Sequence, residues 1–244
     1  MRSLHASSTF PVQHTLACYN QRAPVLRQDT REHTTRRTST NHKRKQGRRE
    51  MATQRSGTMV TYEDYREMPD DERYEIIDGE LIMAAAPSVV HQLIQDNIGR
   101  RLSLFVHDNN LGRVLWSATD VLLSEINVVQ PDILFVSNAR ASIMTYSVIN
   151  GAPDLVVEIL SPSNTQHDTV RKRELYARFR VPEYWQADSD TLEVTVLTLA
   201  GDDYDVAGVY KMGDTLVSPI LPGFALDVDD IFDADVLALL SEQS

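Results

Sequence analysis

A single cysteine in 244 residues, Cys18, excludes an internal disulfide, a cysteine-rich zinc site and a dithiol redox pair. That scarcity fits a reducing compartment, and the cytoplasm is the expected location. No apolar run approaches the ~18 residues a membrane helix needs. The longest, such as Leu81–Pro87, are less than half that length, so no membrane partner is expected. No internal repeat is visible. Lysine is scarce as well: of the 12 basic side chains in residues 59–244, only Lys172 and Lys211 are lysines.

The net charge of −11 conceals two unlike segments. Residues 1–58 carry 12 Lys and Arg against 3 acids, a balance of +9, whereas residues 59–244 carry 12 against 32, a balance of −20. Such a jump marks a boundary near Met51–Met59. The stretch Thr34–Glu50 contains no aliphatic residue and cannot offset the ordering entropy of about 1–2 kcal/mol per residue. Residues 1–58 are therefore expected to be a disordered basic extension. It reads as an arm for nucleic-acid phosphates, as a transit peptide, or as an extension without function preceding a start at Met51 or Met59.

The rest reads as a mixture of helices and strands. Thr61–Pro69 predicts a short helix capped by threonine, and two β-favouring runs flank Asp78-Gly79, a hairpin signal. Val90, Leu93, Ile94, Ile98, Leu102 and Phe105 recur at helical steps within Ser88–Asn109. Strands are expected at Arg113–Ser117, Asp120–Leu123, Asp132–Ser137 and Asp154–Leu160, then a helix over Asn164–Phe179 ended by Pro182. Further strands at Glu183–Ala187, Leu192–Leu199, Tyr204–Tyr210 and Thr215–Val217 precede a terminal helix over Ile231–Leu240. This order predicts an α/β (α+β) domain over 59–244, a mixed central β-sheet flanked by helices.

Glu158 carries the most information. In the strand Asp154–Leu160, alternation sets Leu155, Val157 and Ile159 on an apolar face and Glu158 between Val156 and Leu160 on the other. A carboxylate there must meet a cation, hydrogen-bond donors, a proton or solvent. The plain alternatives are an edge strand facing water and a pair with arginine. Asp132 opens the strand that begins after Pro131, where proline is tolerated. If these strands are neighbours, Asp132 and Glu158 converge, and the oxygen pair suits Mg²⁺ or Mn²⁺. Lys172 lies on the next helix with Asp168 and Tyr176 at four-residue steps. It suits a compact charge beside a metal-bound water or a phosphate, or else an exposed ion pair with Asp168.

The strings Tyr74–Glu80 (YEIIDGE), Pro131-Asp132, Ala152–Ser163 (APDLVVEILSPS), Asp168/Lys172/Tyr176, Val181–Trp185 (VPEYW) and Ser218–Asp227 (SPILPGFALD) together resemble the restriction-endonuclease-like family that carries the Uma name. That family sits within the PD-(D/E)XK nuclease superfamily. The resemblance covers about Thr61 to Phe232 and implies a restriction-endonuclease-like fold and Mg²⁺-assisted hydrolysis of phosphodiesters, with DNA as partner. It makes Asp132 the PD aspartate and Glu158 the second metal ligand. Leu160 stands where the superfamily lysine belongs, and Lys172 is the candidate substitute. Under this reading Lys172 positions or deprotonates the water or neutralises developing charge, and Asp168 orients Lys172. Glu75 is a candidate third acid. His91 is a candidate for proton transfer, set against a capped or half-buried structural histidine. Trp185 is expected in the core rather than stacked on a base.

The balance of −20 opposes a nucleic-acid partner, which normally needs a basic surface. Arg171, Lys172, Arg173, Arg178 and Arg180 offer either a phosphate-facing patch or a solvated helix face, and a homodimer would be another way to build a basic cleft. Two other functions stand beside the endonuclease: a catalytically silent binding or regulatory module of the same fold, and hydrolysis of a smaller phosphodiester such as a nucleotide.

Overall fold

Asp78 and Gly79 both take positive φ, 52° and 77°, the geometry of a tight hairpin turn. They join Tyr74–Ile77 (β1) to Glu80–Met83 (β2) with Ile77 opposite Glu80. The computed structural model describes residues 59–69, 73–84, 86–160 and 166–242, without the side chains of 166–168. The basic segment 1–58 and the expected helix start at Asn164 lie outside the described residues.

Tyr62–Arg66 (α1) begins with a capping box in which Thr61 and Asp64 exchange hydrogen bonds. Val89–Asp108 (α2) is capped by the Ser88 hydroxyl, which accepts from His91 N–H. Next come Gly112–Trp116 (β3), Val121–Ser124 (β4), Asn127–Val129 (β5), Ile133–Ser137 (β6), a 3₁₀ turn over Asn138–Ile143, Ile149–Asn150 (β7) and Leu155–Leu160 (β8). Gln166–Arg178 (α3) leads to Glu183–Asp188 (β9), Glu193–Ala200 (β10), Asp203–Lys211 (β11), Thr215–Val217 (β12) and Ala225–Asp227 (β13). Val228–Ile231 (α4) and Ala234–Ser241 (α5) end the described chain.

The expected mixed, helix-flanked architecture is present, divided among sheets. A six-stranded sheet has the order β11-β10-β9-β8-β6-β3, with β8 and β9 parallel and the other neighbours antiparallel. A five-stranded sheet has the order β2-β1-β5-β4-β7, and β12 pairs with β13. Strand alternation gives the six-stranded sheet two apolar faces. Leu155, Val157 and Ile159 pack with Ile94, Ile98 and Leu102 of α2 and with the C-terminal elements. Leu134 and Val156 pack on the opposite side with Leu175 and Tyr176 of α3 and with Val121, Val129 and Ile149 of the smaller sheet. Gly99 lets α2 approach β3 closely: a Cβ there would overlap the Trp116 indole.

Three differences from the sequence expectation have local causes. Leu192 takes a positive φ of 55° in the turn before β10 instead of starting that strand. The single terminal helix is two, because Asp233 caps α5 by accepting from Asp235 N–H and Val236 N–H. The strands β5, β7 and β13 have only two or three residues, too few to display a hydropathy period.

Candidate active site

The strands β6 and β8 run antiparallel with Ile133 opposite Val157. Asp132 precedes Ile133 and Glu158 follows Val157, so both acids are the next residues outward at the same end of the pair. By alternation both belong to the face carrying Leu134, Val136 and Val156, which α3 covers. The Asp132 Oδ2 accepts from Ile159 N–H at 2.8 Å, which ties the carboxylate to the neighbouring strand.

Lys172 reaches this face from α3. Its Nζ lies 3.1 Å from each Glu158 oxygen and 3.0 Å from Glu75 Oε1, so one ammonium bridges two acids from different sheets. Tyr176, one helical turn further, donates its hydroxyl to Glu158 Oε1 at 2.6 Å. Glu75 is held from behind by Gln130 N–H, 2.8 Å from Oε1. Both glutamates are buried, and the Lys172 side chain is only 18% exposed. Lys172 is therefore not exposed, whereas the alternative of an exposed ion pair with Asp168 required it to be; the Asp168 side chain itself lies outside the described residues.

Burial raises the Glu158 carboxyl to about 7. Lys172 and the Tyr176 hydroxyl pull it down, while Asp132 and Glu75 push it up. For Lys172, burial acts to discharge the ammonium, but Glu158, Glu75 and Asp132 together outweigh that and hold it above its ordinary value. Burial and Glu158 likewise raise the Tyr176 phenol far above the usual range.

His91, at the start of α2, points Nε2 at Asp132 Oδ2 at 3.1 Å. A carboxylate only accepts, so Nε2 carries the hydrogen. In the neutral ring Nδ1 is then an acceptor, buried and without a hydrogen-bond partner among the described residues. Gln95, one turn further, donates to the Asp132 carbonyl at 2.7 Å and to the Ser117 hydroxyl at 3.0 Å. Among the candidate residues, Asp132, Glu158, Lys172, Glu75 and His91 thus form one connected cluster. The Asp168 side chain lies outside the described residues.

Of the two readings of the basic run 171–180, the ion pairs favour the solvated helix face. Arg171 pairs with Glu80 at 2.9 Å, Arg173 with Asp203 at 3.2 Å, Arg178 with Asp78 at 2.6 Å and Arg180 with Asp202 at 2.7 Å. Each of these cations is matched to an acid of the chain itself, and Lys172 is taken by the glutamates. These pairs join α3 to both sheets. Trp185 is fully buried and donates Nε1–H to Glu183, so it is a core residue as expected. Tyr176 and Gln130 were not among the sequence candidates. Tyr176 was legible through its four-residue step from Lys172, whereas the part played by Gln130 is a backbone N–H and leaves no sequence signal.

Among the described residues, no group of three or more His, Cys, Asp or Glu is arranged to hold a metal ion. The donor chemistry of Asp132, Glu158 and Glu75 is nevertheless that of a hard divalent cation, carboxylate oxygens, with Lys172 as one compensating charge beside the two buried glutamates.

Residues 62–229 match a family described as "Uma2: Putative restriction endonuclease". The chain is also similar to a crystal structure of a putative nuclease belonging to DUF820 from Anabaena variabilis. That match has a TM-score of 0.61 at 20% identity and covers 71% of this chain and 97% of the other. No curated protein matches.

Proposed function

The chain belongs to the Uma2 family of putative restriction endonucleases, and from that premise we propose that it hydrolyses phosphodiester bonds of DNA with Mg²⁺ or Mn²⁺ as cofactor. The supporting observation is the bridge from Lys172 to Glu158 and Glu75, beside the strand end that carries Asp132. A helix-borne lysine there stands in for the one that Leu160 replaces on the strand.

Asp132 and Glu158 would hold the ion, with Glu75 beside them. A divalent cation so held acidifies water and neutralises charge on the scissile phosphate. The chain's own residues have separable tasks. His91 and Ile159 N–H orient the Asp132 carboxylate by donating to the same oxygen, Oδ2. Tyr176 pins Glu158 through a short hydrogen bond. Lys172 is held above its ordinary pKa and stays charged near neutrality, so it donates hydrogen bonds and supplies countercharge instead of removing a proton.

The same bridge favours a second reading, the catalytically silent module, because Lys172 already satisfies both glutamates without an ion. Nicking assays and Mn²⁺ calorimetry on the full chain separate the two. The nuclease reading expects cleavage that needs Mg²⁺ or Mn²⁺ and that Asp132→Ala and Glu158→Ala each reduce by about 10³-fold or more. Absence of both cleavage and Mn²⁺ binding in the unaltered protein selects the silent module, and cleavage that survives both substitutions refutes the assigned residues.

A further inference from the structure

A nuclease needs a cation for the phosphate, and the ion pairs of α3 withdraw the obvious ones. Arg101 and Lys211 also face carboxylates, with Asp230 at 3.7 Å and Glu193 at 2.7 Å, as does Arg140, with Asp154 at 3.7 Å. Four arginines have no carboxylate within ion-pair distance among the described residues: Arg66, Arg73, Arg100 and Arg113. Arg66 is exposed on α1 over the Tyr62 ring, Arg100 is exposed on α2 beside Asn97, and Arg113 folds back on the Gly112 carbonyl. Arg113 is also near the Gly112–Ser137 end of β3, away from the end where Trp116 meets Ile133 next to Asp132.

Arg73 differs from these three. It is half-buried, and its carbonyl accepts from Ala84 N–H, which extends the β1–β2 ladder by one step. Two residues on along the extended chain, roughly 7 Å away, Glu75 projects to the same side and meets Lys172. The guanidinium is aimed by a fully determined network. Gln130 Nε2 donates to Asp120 Oδ1 at 2.8 Å and to the Tyr65 hydroxyl at 3.2 Å, and that hydroxyl donates to the same Asp120 oxygen at 3.0 Å. The amide is thereby oriented so that Gln130 Oε1 accepts from Arg73 Nε at 3.0 Å. The terminal nitrogens Nη1 and Nη2 have no partner among the described residues, which leaves a planar fork of donors suited to a phosphate. Gln130 also holds Glu75 by its N–H and is followed by Pro131 and Asp132, so the same residue sets both the cation and the acids.

We infer that Arg73 is the phosphate-binding cation of the site, gripping the DNA backbone next to the acid cluster. This rests on the nuclease reading, but its test does not require cleavage. The salt dependence of binding to a fluorescent DNA duplex is measured by anisotropy for the full chain and for Arg73→Gln, Arg73→Lys and the exposed control Arg66→Gln. Arg73→Gln is expected to weaken binding roughly tenfold and to reduce the logarithmic salt slope by about 0.9, the loss of one phosphate contact. Arg73→Lys keeps the charge, so it should retain the slope while losing part of the affinity, and Arg66→Gln should resemble the unaltered protein. Mn²⁺ affinity should stay within about twofold for Arg73→Gln, since Arg73 touches none of the acids. An unchanged slope in Arg73→Gln overturns the inference, and so does a loss of Mn²⁺ affinity parallel to the loss of DNA binding, which would mark a structural role. If the unaltered protein binds DNA with the Arg73-dependent slope yet neither cleaves nor binds Mn²⁺, the nuclease reading fails while the phosphate site stands.

Discussion

Glu158 and Glu183 are two buried glutamates on adjacent parallel strands of one sheet, and they face opposite sides of it. Burial raises the carboxyl pKa of both. Glu183 is fully buried and, among the described residues, is met only by neutral donors: Trp185 Nε1–H at 2.6 Å, the Ser218 hydroxyl at 2.7 Å and Ile220 N–H at 3.0 Å. Those bonds fasten the loop after β12 to the sheet. Glu158 is met by an ammonium and a phenol and stands near two further acids. The lesson is that a buried acid does not by itself make a site. Neutral donors that exhaust its oxygens make it a fastener, while several acids around one cation leave a surplus of negative charge that invites another cation.

That contrast breaks most sharply at Lys172. Lys172→Met leaves Glu158 and Glu75 buried without their counterion, and stability should fall by about 3–5 kcal/mol. Urea unfolding of the full chain measures this, and a loss below about 1 kcal/mol would mean the acids take up protons or water at little expense. A smaller effect follows from pH in metal-free protein. The folded carboxyl of Glu158, at about 7, lies above its ordinary value of 4.5, so between these limits the folded state binds more protons than the unfolded one. Stability is then greatest on the acid side and declines as pH rises to about 7, by on the order of 3 kcal/mol, and this group adds no further change above that. Glu158→Gln should flatten the decline. A slope that survives the substitution assigns it to another group.

Much of the Glu158 side was legible in the sequence, because strand alternation in Asp154–Leu160, the Pro131-Asp132 start and the helical step from Lys172 to Tyr176 are local patterns. What joins them is not local. Lys172 meets Glu75 from the other sheet, and His91 meets Asp132 across 41 residues, so pairings of this kind depend on how layers stack. The basic run 171–180 stayed open between two readings for the same reason: the counterions of its arginines lie in the β1–β2 hairpin, the β10–β11 turn and the start of β11, far away in the chain. The separation of the five-stranded sheet from the six-stranded one was hidden because β5 is three residues long and carries no period. Nor could Glu183 be told from Glu158 by pattern, since each sits in a strand rich in hydrophobic residues.

Glu183→Gln gives the smallest and most discriminating effect. The amide keeps one carbonyl oxygen for Trp185 and Ser218, but its NH₂ group confronts Ile220 N–H, two donors with no acceptor between them. The unpaired N–H costs about 1–3 kcal/mol, while removing a buried ionisable group returns part of that, so a net loss near 1 kcal/mol is expected in urea unfolding. The damage should stay local, with faster amide hydrogen exchange at Ile220 and Leu221, whose N–H groups bond to Glu183 and to Ser218. The cluster on the other face uses none of these groups, so Mn²⁺ affinity and any nicking activity should match the unaltered protein. A loss of Mn²⁺ binding in Glu183→Gln would show that the two faces of the sheet are coupled and that the division between fastener and site is wrong.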